Sequence, residues 1–171
     1  MKAESAGAVL EFLVPAVENE AALTRKVILA VPADKAHFRP DEKAMSALEL
    51  CWHIAAADAF FLTAVTTGVF PPFEKMLENI KTPKDVVAWF DAQVAANVAK
   101  LKKMTGEHAA KIVESPFGPR PAMVFLNLSI NHTSHHRGQL STYLRPMGAK
   151  VPSIYGSSRD DKEAKEAAAK H

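Results

Sequence analysis

Phe125-Leu-Asn-Leu128-Ser-Ile-Asn131-His132-Thr-Ser-His135-His136-Arg137-Gly-Gln139-Leu140-Ser-Thr-Tyr143 is the stretch that decides the fold. Phe125, Leu128, His132, His136, Gln139, Leu140 and Tyr143 fall mostly at steps of three and four, the stripe of a helix facing a core. The spacing predicts a helix over Pro121–Met147, closed by Pro146 and Gly148. That stripe would need partners, and the rest of the chain offers three.

Working back, Val87, Phe90, Val94, Val98, Leu101 and Met104 form a second stripe. It begins at Thr82-Pro83-Lys84-Asp85, an N-cap followed by Pro at the first helical position and an early acid, and ends near Gly106. A third, over Ser46–Thr66, opens on a Ser46/Glu49 capping-box pattern and closes at Gly68 and Pro71-Pro72. Its inner face holds Leu50, His53, Ala57, Phe60 and Ala64. The fourth runs over Ser5–Val31, from Leu10 to Val31, with Pro15 marking a kink or a later start. Pro32–Lys43, Thr67–Lys81 and Glu107–Arg120 read as connections, the second with a short helix near Glu74–Ile80. Strand alternation is absent. The fold class is all-α, a four-helix bundle over residues 1–157. Residues 158–171 favour helix without an apolar face and read as a solvated, frayed tail.

The 171 residues suffice for one core, and 48% hydrophobic with 23% charged residues excludes general disorder. Twenty-one Lys+Arg against nineteen Asp+Glu leave a net charge of +2, which argues against a nucleic-acid partner or a membrane surface. No apolar leader follows Met1-Lys2, so a cytoplasmic location is expected. The single cysteine, Cys51, excludes a disulfide framework and a CxxC site.

His132 and His136 lie about one turn apart, about 40° around the helix axis, so both rings can reach one divalent ion. His53 is on the inner face of another helix and can complete the set if those helices are neighbours. Three neutral imidazoles suit zinc, nickel or another first-row ion, and four-coordinate zinc would keep one position open. A histidine on an apolar face can equally be a hydrogen-bonded core residue, and spacing leaves both readings open. His135 lies about 100° from His136 and is expected at the rim. His37, His108 and His171 read as solvated. Cys51 should face away from His53 and pack as a small hydrophobe. Glu49, His135, Gln139 and Tyr143 are the candidates to hydrogen-bond a ligand or substrate, although Glu49 already has a capping role.

Asn131-His132-Thr-Ser-His-His136-Arg137-Gly138-Gln139-Leu140 resembles the HxxxHxGQ signature of the DinB superfamily, the DinB/YfiT-like metalloenzymes. Glu49-Leu-Cys-Trp-His53 is similar to that family's first-histidine motif ELxxH, and Phe38-Arg39-Pro40 to the segment before it. Tyr143-Leu144-Arg145 and the segment from Gly148 to Gly156 resemble it too. The resemblance implies up-down-down-up topology, a divalent metal on His53, His132 and His136, and a homodimer. It also implies an enzyme of the thiol-dependent S-transferase type, using a low-molecular-weight thiol such as bacillithiol or mycothiol. Arg137 and Arg145 are then the candidate contacts for an anionic thiol. A hydrolase is the rival reaction, and a non-catalytic metal- or ligand-binding stress protein the rival class. The small-molecule substrate cannot be named from the sequence.

Overall fold

The computed structural model describes residues 1–169; Lys170 and His171, read above as part of a solvated tail, lie outside them. Helices are α1 (Ala3–Leu29), α2 (Ala47–Thr67), α3 (Pro83–Leu101), α4 (Gly106–Ala110), α5 (Ala122–Leu144) and α6 (Arg159–Ala168). A 3₁₀ turn spans Ala33–Lys35. Two-residue strands β1 (Ile112–Val113) and β2 (Arg120–Pro121) pair antiparallel, with Val113 opposite Arg120.

The caps explain where α2 and α3 begin. Ser46 and Glu49 exchange side chain-to-backbone hydrogen bonds, as do Thr82 and Asp85. Gly68 ends α2 at φ +80°, a conformation open to glycine at little cost. α1 runs unbroken through Pro15, whose ring lies on the exposed side, so this proline marks no later start.

Polar pairs between helices fix their directions. Glu18 meets Lys102 and Arg25 meets Asp91, so α1 and α3 are antiparallel. Asp58 meets Ser129 while His53 meets His136, so α2 and α5 are antiparallel. Trp52 packs on Trp89 and Thr66 bonds Asn97, so α2 and α3 run parallel. Each of α1 and α2 packs against both α3 and α5, closing a ring of four long helices. One apolar cluster holds Leu50, Trp52, Phe90 and Leu144; the other holds Leu10, Phe61, Phe125 and Leu126. α2 is apolar and long enough to cross a membrane, and is buried instead by its neighbours in the bundle.

Three expectations change. The short helix near Glu74–Ile80 does not form. Pro71-Pro72 favour extended backbone, and the Trp52 indole N–H takes the Glu74 carbonyl at 3.2 Å. The connection after α3 carries α4 and the small ladder rather than irregular chain throughout, and His108 lies on α4 rather than in a loop. The tail is helical over α6, opened by a Ser158/Asp161 capping box. Asp160 accepts from the Val151 N–H at 2.9 Å and pairs with Arg145, which anchors a helix having no buried residue.

Candidate metal centre

The deepest line along α5 is Ala122, Leu126, Ser129, Thr133, Arg137, Leu140 and Leu144. It is displaced by about one position from the stripe read in the sequence, and Leu128 is 36% exposed. His132 and His136 therefore border the core, half-buried, where a ligand can reach them. His53 on α2 is half-buried opposite them.

The three rings converge. His53 Nε2 stands 3.3 Å from His136 Nε2, and one ring nitrogen from each of the three histidines lies within 4.8 Å of the others. Ring centroids are 5.0 Å apart for His53–His132, 4.5 Å for His53–His136 and 4.4 Å for His132–His136. Two nitrogens bound tetrahedrally at about 2.05 Å stand about 3.3 Å apart, so the closest pair already has the spacing a zinc-sized ion requires.

Three further observations fit a metal. His132 Nδ1 is buried with no hydrogen-bond partner among the described residues, an orphan that protein interiors rarely keep. His136 Nδ1 lies 3.0 Å from Gln139 Oε1, so its N–H donates to that carbonyl and the Nε2 lone pair is left for an ion. Burial holds His132 down to about 4, helped by the charges His136, His53 and His135 would carry. Burial and then His136 lower His53 in the same way. These two rings, His132 and His53, are thus kept neutral, the ligating form. The cluster has the donors and spacing to hold a metal ion.

The other candidates separate. Gln139 touches His136 and orients it. His135 is exposed at the rim, its ring 4.8 Å from that of His136. Glu49 caps α2 and pairs with Arg39 at 2.8 Å; its hydrogen bonds to Ser46 hold its carboxyl below the ordinary range. Tyr143 is a core residue whose hydroxyl donates to the Met45 carbonyl at 3.3 Å. Cys51 is buried, which pushes its thiol up and leaves it inert.

The two arginines named above are both paired within the chain. Arg137 is 1% exposed and is held by Glu20 at 2.6 Å, by Thr24 and by the Tyr155 hydroxyl. Arg145 pairs with Asp160 at 3.1 Å. Arg137, next to His136, lies about 100° around the helix from it, which points it into the bundle.

Two features escaped the sequence reading. Asp58 is buried, and its Oδ1 accepts from Ser129 at 2.7 Å and Thr133 at 3.2 Å. The signal was a lone acid inside Ala55-Ala-Ala-Asp58-Ala-Phe60. The second is an aromatic wall, with Phe61 5.8 Å from the His132 ring and Phe73 6.1 Å from that of His53.

The model of the DinB family matches residues 10–167. The chain belongs to the DinB family. Among its DinB-type relatives, the uncharacterised protein YjoA of Bacillus subtilis (strain 168) is 30% identical over 129 residues, covering 74% of this chain and 82% of YjoA. The uncharacterised protein YrdA of the same organism is 24% identical over 156 residues, covering 89% of this chain and 91% of YrdA. Two crystal structures share the fold. The DinB-like YjoA of B. subtilis superposes with a TM-score of 0.71 at 23% identity, covering 85% of this chain and 97% of that one. A DinB-like protein from Bacillus cereus gives 0.72 at 24%, with the same coverage.

Proposed function

We propose that this DinB-family chain is a divalent-metal-dependent enzyme, with zinc or nickel on His53, His132 and His136, that transfers a group to a low-molecular-weight thiol. The observation supporting a metal is the convergence of three imidazoles with an unpartnered nitrogen on His132. A bound ion would supply a Lewis acid that lowers the pKa of whatever occupies its open position. Gln139 fixes the tautomer and tilt of His136, and the Phe61 and Phe73 rings restrict water at the histidines.

Thiol transfer is favoured over hydrolysis because no carboxylate joins the three histidines among the described residues. Zinc hydrolases of the H-E-x-x-H type place a general-base glutamate beside the ligands, whereas His132-Thr-Ser-His135-His136 has none. The test is a parallel screen of electrophiles, with and without small thiols, on metal-loaded wild type and His136→Ala. Turnover that needs both thiol and His136 is expected. Ester or amide turnover without thiol would replace the transferase by a hydrolase. No turnover of any kind with metal bound would leave the non-catalytic, ligand-binding reading.

A further inference from the structure

An open groove of about 570 Å³ lies against Phe73, the aromatic neighbour of His53. Its walls are Phe60, Phe70 and Phe73 with Pro71, Pro72 and Pro116, and among the described residues Glu114 is the ionisable one that lines it. Phe73 belongs to both places: it lines the groove, and its ring centroid is 6.1 Å from that of His53. The rings brace one another, with Phe60 5.5 Å from Phe73 and 4.8 Å from Phe70, and Phe70 set edge-on against Phe125 at 4.9 Å. Prolines on both sides fix the backbone, so the walls are preorganised. The volume is that of an ordinary small-molecule site.

We propose that this groove seats the aromatic body of an uncharged organic substrate, with its reacting end directed at the three histidines. Flat rings meet the Phe faces at stacking distances, and such contacts add to simple burial of apolar area. Among the described residues no cation lines the groove, while Glu114 opposes an anion, and Arg137 and Arg145 are paired elsewhere. A carboxylate or phosphate would be stripped of water there with no compensating partner. The role as substrate seat rests on the enzyme reading above; the binding itself does not.

The test measures binding of 2-naphthalenemethanol and 2-naphthoate to the full chain by fluorescence titration, as purified and after chelation, with metal content measured in parallel. The alcohol is expected to bind under both conditions, and Phe73→Ala to weaken it about fivefold while keeping its metal. Phe12→Ala, at an exposed position of α1 that does not line the groove, should leave it unchanged. After chelation the naphthoate should bind about tenfold more weakly than the alcohol, and Glu114→Gln should narrow that gap. Equal binding of the two probes after chelation, no binding of the alcohol, or insensitivity to Phe73→Ala would overturn the proposal. Metal content separates that failure from failure of the histidine site.

Discussion

Gln139 is the residue whose part is easiest to isolate. Its carbonyl takes the His136 Nδ1–H at 3.0 Å and so presents Nε2 to the centre. Gln139→Ala frees the ring, and metal affinity measured by competition with a chromophoric chelator should fall about 10- to 100-fold. Gln139→Glu keeps an acceptor and should retain most of the affinity. Protons act at the same scale. His132 is held down to about 4 against an ordinary 6.5. Between those values the unfolded chain binds more protons than the folded one, so stability falls as pH drops through that window. Asp58 has the opposite sign: burial raises it from 3.8 to about 6, despite the hydrogen bonds from Ser129 and Thr133. The folded chain then binds more protons between 3.8 and 6, and stability falls as pH rises. The two opposing slopes partly cancel in the wild type. Asp58→Asn removes the opposing slope, so the Tm of the chelated protein should fall more steeply from pH 6 to pH 4 than in wild type. Parallel profiles would remove Asp58 from the account.

At the scale of elements, the caps and a close helix contact set the frame. Ser46 starts the helix that carries His53, and Ser46→Ala should cost about 1 kcal/mol in denaturant unfolding. Gly106 is different: a Cβ there would collide with the Ala3 carbonyl, because α4 packs directly on the start of α1. Gly106→Ala should cost about 1–3 kcal/mol as overpacking, far more than a solvent-facing helix start would suggest. In the sequence this glycine is legible only as punctuation after α3, since a close approach by a distant helix leaves no local pattern. α2 shows what is legible: Ser46, Glu49 and Gly68 mark its ends, and its histidine stands out on an apolar face. α5 shows the limit. Its stripe was placed about one position off because Ser129, Thr133 and Arg137 are buried through polar partners on α1 and α2, which hydropathy cannot anticipate. The same blindness hid the aromatic wall, whose Phe70 and Phe73 come from a connection without periodicity. The Ser158/Asp161 box of α6 was readable as a capping signal, but the helix it starts buries nothing.

At the scale of the whole molecule, four helices bring residues 53, 132 and 136 to one place, although 79 positions separate the first two (132 − 53). The family resemblance implies a homodimer. Phe61 is buried within the chain, and Trp89 is half-buried against Trp52 at 4.7 Å. We propose that a dimer would use the outer strip of α1 and α5, where Val9, Phe12, Val124 and Leu128 are exposed. Light scattering at micromolar concentration should give about twice 18.6 kDa for wild type and near 18.6 kDa for Phe12→Arg. The central claim concerns the ion. Elemental analysis of wild type, His53→Ala, His132→Ala and His136→Ala, each verified as folded by circular dichroism, tests it most directly. The account predicts one divalent ion per wild-type chain, near none in each of the three variants, and retention in His135→Ala. Unchanged stoichiometry in all three would contradict it.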